Sequence, residues 1–216
     1  MKKTRAEALQ TREHLLAAAL EVFWRTGVSR ASLQEIAQEA GVTRGALYWY
    51  FKNKENLFEE LFRQNFEPVH SQMSDEVLHS VPDIWQHLHD TLLSIFKIIA
   101  ENEQQQKFCN IIFLKCERTS RNRSITELAE RYFNHHHTMV FNTLQMCHRR
   151  GRLPENIDLE LAALFLNSSI NGLLQLWIEN PAGFDLVSAA GKILRSNLDT
   201  LQNGTVFLKD SAEAAA

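Results

Sequence analysis

Proline and glycine are scarce, four and eight in 216 residues. So few breakers favour long helices over short strands joined by tight turns. Long hydrophobic runs are missing too: none approaches the ~20 residues of a membrane span, although 44% of the chain is apolar and 23% charged, an ordinary soluble balance. The opening Met1-Lys2-Lys3-Thr4-Arg5 is basic with no apolar segment behind it, which argues against a secretory leader. Cysteine is limited to Cys109, Cys116 and Cys147, an odd number without metal-ligand spacing, so reduced thiols in a cytoplasmic protein are expected. The sequence has no G-x-S-x-G, phosphate loop, dinucleotide fingerprint or metal constellation, so no enzyme, cofactor or metal site is expected. His135-His136-His137 does not alter this. Consecutive helical residues point about 100° apart and three in a row do not converge on one ion; one of them could instead line a pocket.

Charge of one sign is also lacking. The net charge is −3, which by itself points to no polyanionic partner. Its distribution says more. Residues 1–56 carry nine Lys/Arg against six Asp/Glu, and the remainder fourteen against twenty, giving +3 and −6. A weakly basic head on an acidic body suits contact with DNA at one end.

What is present is helical periodicity. Leu15, Leu16, Ala19, Leu20 and Phe23 recur at helical spacing and predict a helix over about 11–26, closed by Gly27. Ser32-Leu33-Gln34-Glu35 reads as a capping box opening a short helix at 32–39. Ala40-Gly41-Val42 is a tight connector, followed by a third helix from Thr43 to about Tyr50. Asn53 is placed to cap the next helix. Further helices are expected at about 54–78 with an end or kink at Pro68, and at 83–101, 104–118, 124–150, 158–179 and 185–202. Ser124 with Glu127, Asp158 and Asp185 are their cap candidates. The expected fold is all-α, about nine helices. Residues 211–216, Ser-Ala-Glu-Ala-Ala-Ala, read as a disordered tail or an expression scar.

Three short helices in about fifty residues, the last two joined by a glycine turn, form a helix-turn-helix pattern. The residues Ala18-Ala19-Leu20-Glu21-Val22-Phe23, Gly27-Val28, Ser32 to Ala37, Ala40 to Phe51 and Lys52 to Phe58 together closely resemble the DNA-binding domain of the TetR family. Lys3-Thr4 with Glu7-Ala8, Ile112 to Glu117, Asn171-Gly172-Leu173 with Trp177, and Phe184-Asp185-Leu186 resemble one branch of it, the AcrR-, TtgR- and MtrR-like regulators of multidrug efflux pumps, nearest to the MtrR-like members. The resemblance implies a helix-turn-helix domain over 1–53 and a ligand-binding and dimerisation domain over 54–210. It also implies a cytoplasmic homodimeric repressor that leaves a palindromic operator when a bulky hydrophobic molecule (a drug, dye or bile-salt-like compound) binds, with no membrane partner. The alternatives are a DNA-binding regulator without an inducer, or an activator. Tyr50 departs from the family's usual His, and Pro68 from an uninterrupted fourth helix.

Expected DNA contacts are Ser32, Thr43, Arg44, Gly45, Tyr48, Trp49, Tyr50 and Lys54. The first turn of a recognition helix enters the major groove, where a guanidinium fork matches guanine O6 and N7 and a glycine lets the backbone approach. Tyr48 lies on phosphate by resemblance, and Trp49 is expected to be partly core. Lys54 adds charge to a helix N-terminus, a natural phosphate site, or is simply a solvated lysine. Lys2, Lys3 and Arg5 form an arm on DNA or have no fixed role. The helix at 158–179 is apolar nearly all round, hence buried on most faces, but Asn167, Asn171 and Gln175 make a polar stripe. Their amides need partners: a ligand, a twin subunit or core groups. With Phe62, Phe66, Trp85, Leu92, Cys109, Asn110, Phe113, Phe133, His136 and Val140 they are the pocket candidates, by resemblance and aromatic placement. Leu174, Trp177, Val187, Ile193, Leu194 and Leu201 are the apolar material expected between subunits.

Overall fold

The computed structural model describes residues 5–116 and 122–209. Lys2, Lys3, Thr4, Glu117 and the 211–216 tail lie outside the described residues. Helices follow in the order α1 (Arg5–Thr26), α2 (Leu33–Glu39), α3 (Arg44–Tyr48), α4 (Lys54–Gln72), α5 (Asp75–Ser80), α6 (Ile84–Glu101), α7 (Glu103–Asn110), a π-helical segment (Ile111–Lys115), α8 (Arg123–Arg149), α9 (Leu159–Glu179) and α10 (Leu186–Asn203). Among the described residues the one extended pairing is an isolated bridge between Ile157 and Leu208.

Local chemistry explains most boundaries. Asp158 and Asp185 cap α9 and α10 by accepting from the Leu161 and Ser188 amides, at 3.0 and 2.6 Å. Asn53 accepts from Asn56 at 2.8 Å at the start of α4. Gly27 and Gly41 have φ of 79° and 64°, the left-handed region that chain reversals after α1 and α2 require.

Three expectations need correction. First, of the end or kink expected at Pro68, the end does not occur: α4 runs on to Gln72, and the break falls at Met73-Ser74, after which α5 is a separate helix. Proline removes only the N–H that would reach the Gln64 carbonyl, and the turns on either side keep their own bonds. Second, Ser124 is not an N-cap. It sits inside α8 and donates to Glu55 at 3.0 Å, while Glu127 pairs with Arg123 at 2.9 Å. Third, α9 is long and apolar enough to cross a membrane by length and composition alone. Uncharged Asn, Ser and Gly interrupt its apolar run without adding charge.

The chain divides into two compact units. The first comprises Met1–Phe66 and Glu103–Tyr132, so the expected boundary at residue 53 lies inside it. Its core is aromatic: Phe23 meets Phe58 and Phe58 meets Phe62, both at 5.3 Å and edge to face. Arg12 ties α1 to α4 through Glu60 at 2.7 Å.

The second unit, Glu67–Asn102 with Phe133–Ala216, packs α10 against α6 and α9. Leu88, Leu92, Leu166, Leu194 and Leu201 are all buried within it. Arg150 closes α5 by donating to the carbonyls of Leu78, His79 and Val81 at 2.9–3.3 Å. The segment after α10 returns to the start of α9: the Asp158 amide donates to the Phe207 carbonyl at 2.7 Å, and the Phe207 ring lies 4.9 Å from that of Phe165. His70 on α4 stands 4.8 Å from the ring of His135 and 5.8 Å from that of His136, both on α8. Burial, with the neighbouring His135 adding for His70, holds the His70 and His136 imidazoles at about 4.

Both rings are thus neutral in the fold but take protons below the ordinary histidine value when it unfolds. Stability is complete above pH 6.5 and is lost as pH falls from there towards 4. His136 accounts for on the order of 3 kcal/mol of that loss. Urea denaturation between pH 7.5 and 4.5 should show it, with a flatter profile for His136→Asn.

Candidate nucleic-acid interface

The head of the first unit is built from caps and one buried anchor. Ser32 accepts from the Glu35 amide at 3.2 Å, and the Glu35 carboxylate accepts from the Ser32 amide at 2.9 Å, a complete capping box. Thr43 does the same work for α3, accepting from Ala46 at 3.1 Å. Ser32 and Thr43 are therefore helix caps as well as expected DNA contacts. Between them the Gly41 and Val42 amides donate back to Gln38 and Ala37 at 3.0 and 2.9 Å and close the turn. Leu47 is the residue of α3 that is wholly buried.

Arg44, Gly45 and Tyr48 of α3 are exposed and Ala46 is half-buried. Arg44 is exposed and its Nη2 donates to the Tyr48 hydroxyl at 3.0 Å, with the guanidinium 5.5 Å from the ring centroid. Tyr48 is 43% exposed, and Trp49 is 89% exposed rather than partly core. Tyr50 is half-buried. A side chain added at Gly45 would meet only the Thr43 hydroxyl, 3.9 Å away, so nothing inside the protein requires a glycine there.

Lys54 is half-buried. Its ammonium donates to the carbonyls of Val28 and Ala31 at 2.7 and 3.2 Å, and burial lowers its pKa. It is not a simply solvated lysine: it fastens the start of α4 to the α1–α2 connector.

The pocket candidates divide between the units. In the first, Phe62 stacks on Phe66 at 5.7 Å and joins Phe108 and Tyr132 at 5.2 and 4.8 Å, two rings that the sequence reading did not name. Tyr132 was overlooked because a tyrosine beside Phe133 on a long helix carries no signal of its own. Cys109 is buried, its thiol pushed up to about 12 by desolvation, and Asn110 and Phe113 are half-buried at and within the π-helical segment. In the second unit Leu92 and Val140 are fully buried and Phe133 is half-buried. Trp85 lines a cleft of about 210 Å³ with His89, Arg195 and Gln202. His136 is buried beside His70, a neighbour that sequence spacing gives no means of finding.

The polar stripe of α9 does not act as one surface. Asn167 is buried and donates to the Ala163 carbonyl at 2.8 Å, with His137 Nδ1 3.2 Å away. Asn171 is half-buried, and Gln175 is exposed and donates to Glu179 at 3.1 Å. Nor is α9 buried on most faces. Leu161, Leu164 and Leu176 are 42%, 55% and 61% exposed, on one stripe with the bare Gly172. Leu174, Trp177, Leu194 and Leu201 face inward, because α10 and α6 already cover that side. Among the described residues no group of three His, Cys, Asp or Glu is arranged to hold a metal ion.

Residues 15–61 match the family described as bacterial regulatory proteins, tetR family, and residues 83–203, more than half the chain, match the C-terminal region of the MAATS-type transcriptional repressors. The chain belongs to the TetR family of transcriptional regulators. It is 34% identical over 191 residues to a probable acrEF/envCD operon repressor of Escherichia coli K12, covering 88% of this chain and 86% of that protein. Among solved structures of TetR-type repressors it resembles NalD of Pseudomonas aeruginosa, the secondary repressor of a multidrug efflux pump, with a TM-score of 0.77, 29% identity and coverage of 91% and 98%. It also resembles SmeT of Stenotrophomonas maltophilia in a complex with triclosan, with a TM-score of 0.79, 26% identity and coverage of 94% and 93%. These relatives are regulators, and membership of the family makes this chain a DNA-binding regulator with α2–α3 as its helix-turn-helix.

Replacing Lys54 by Met should leave the Val28 and Ala31 carbonyls without their donor and cost about 1–3 kcal/mol. Thermal denaturation in the absence of DNA reads this directly.

Proposed function

We propose that this TetR-family protein is a dimeric repressor of multidrug-efflux genes that leaves its operator when a bulky apolar molecule binds. The observation that carries the reading is the exterior of α3. A glycine within a helix costs about 1 kcal/mol relative to alanine, and Gly45 stands where the fold itself has no need of one. Next to it are an exposed guanidinium, an exposed phenol and a tryptophan 89% exposed. A bare backbone flanked by Arg44, Tyr48 and Trp49 suits the close approach of a major groove, with Arg44 swinging from Tyr48 to a base edge. Thr43, Tyr50 and Ser32 border the same turn. Lys54 spends two of its three donors on carbonyls, and the third suits a phosphate at the start of α4. A protein acting on operator DNA in this way would work in the cytoplasm.

The efflux branch is supported by the relatives named above, and ligand release by the triclosan complex of SmeT. Taken unit by unit, the candidate residues suit such a molecule: within the first unit the Phe62–Phe66 stack and Phe113 offer apolar surface, and within the second the half-buried Asn171 offers an amide. The exposed Leu161, Leu164 and Leu176 with Gly172 on α9, and Ile193 on α10, suit a two-fold contact with a second copy. Two-fold symmetry in turn calls for a palindromic operator.

Gel shift with DNA upstream of the chain's own gene, with and without triclosan and other apolar drugs, tests the reading; a protein that binds no such DNA would refute it. Arg44→Ala should cost about 1–3 kcal/mol of operator affinity and relax preference at one base pair per half-site. Asn171→Leu should blunt the ligand response and leave operator affinity without ligand unchanged. Leu164→Glu should yield monomers at micromolar concentration in analytical ultracentrifugation, where the unaltered protein sediments as a dimer.

A further inference from the structure

Trp24 lies in the last turn of α1 with two ammonium groups near its ring. Lys107 of α7 and Lys115 at the end of the π-helical segment each stand 5.1 Å from its centroid. The arrangement does not rest on ring contact alone. The carbonyl of Trp24 is among the last four of α1, which have no partner within the helix. The Lys115 ammonium donates to that carbonyl, and the Lys115 carbonyl accepts from the Val28 amide at 3.4 Å. Lys115 therefore holds both sides of the turn that leads from α1 into α2, and places its charge at the negative end of the α1 dipole. Lys107 is held in place by Glu21 of α1 and by Glu103 at 2.9 Å, which offset the repulsion between the two ammoniums.

The π-helical register matters here. A π turn carries one more residue than an α turn and is commonly found at functional sites. If Ile111–Lys115 continued α7 in an α register, Lys115 would be rotated by roughly 100° per residue of shift and would leave Trp24. None of Trp24, Lys107 and Lys115 lies on α3.

We infer that Trp24, Lys107 and Lys115 form a clamp that positions the helix-turn-helix for operator binding without touching DNA, the π-helical segment setting its register. The three are positioning residues, and the inference rests on the reading of the chain as an operator-binding protein. The test uses the full-length protein, the upstream operator duplex and fluorescence anisotropy without ligand. Lys115→Met removes the charge and keeps the length. It should lower operator affinity about tenfold, the scale of a cation–π contact and a charged hydrogen bond together, with the helical circular dichroism retained. Lys115→Arg should restore most of the loss, and Trp24→Phe, which keeps an aromatic face, should fall between wild type and Trp24→Ala. The slope of log affinity against log salt should be unchanged, whereas a lysine on phosphate would lower it by about one. The double variant Lys115→Met/Trp24→Ala should lose no more than the worse single variant. Wild-type affinity in Lys115→Met, a lowered salt slope, or additive losses would each overturn the clamp. Failure of the unaltered protein to bind would instead refute the reading on which it rests.

Discussion

Helices of seven and five residues are too short to persist in water, because the cost of nucleation is not recovered over one or two turns. Helices α2 and α3 therefore take their stability from what they bury. Ile36 and Ala37 of α2 and Leu47 of α3 are fully buried in the first unit, whose core is built on the Phe23–Phe58–Phe62 ring contacts. Concentrating the structural duty of α3 in Leu47 leaves the rest of its circumference without any. Arg44, Gly45, Tyr48 and Trp49 are then free to answer to an external partner, and an almost fully exposed tryptophan, costly on a surface with no function, becomes intelligible.

The α1–α2 connector poses the opposite problem. It is partly buried, so its backbone polar groups need partners. The fold supplies them from sequence-distant cations. The Lys54 ammonium donates to the carbonyls of Val28 and Ala31 and the Lys115 ammonium to that of Trp24, while the backbone carbonyl of Lys115 accepts from the Val28 amide. An ammonium has three donors and accepts loose geometry, so one lysine closes two carbonyls where a hydroxyl would close one. The basic character of the head is therefore partly structural, and its net charge overstates what is available to a polyanion.

What could be read from sequence was what is local. Capping boxes, aspartate caps and left-handed glycines act within four residues, and Ser32, Asp158, Asp185, Gly27 and Gly41 all stand where their spacing places them. The motif carrying the family resemblance is local for the same reason. Non-local choices were not legible. Ser124 has the spacing of a cap, but Glu55, 69 residues away, takes its hydroxyl. Lys54 looks solvated or phosphate-bound until the carbonyls of a distant connector are seen around it. The π register of Ile111–Lys115 leaves no trace in periodicity. Of the candidate site, the exposure of Arg44 was legible, whereas that of Trp49 and the partners of the pocket residues were not.

Helix α9 shows why such a reading stops where it does. An apolar girdle around a helix says that several faces avoid water but not what covers each. One face, with Leu166, Ile170 and Leu173, is buried inside the second unit; another, with Leu161, Leu164 and Leu176, is uncovered in the single chain. The amides sort by the same logic. Asn167 turns back to its own helix at Ala163 and lies against His137, so its donors are already engaged and a ligand would have to displace an existing bond. Gln175 is on the surface with Glu179. Asn171, between them and half-buried, has neither constraint among the bonds described. Three residues at one helical spacing thus serve three environments. Helical twist accounts for it: each step of four residues advances the side chain by about 40°, and 80° across the stripe is enough to carry it from core to solvent.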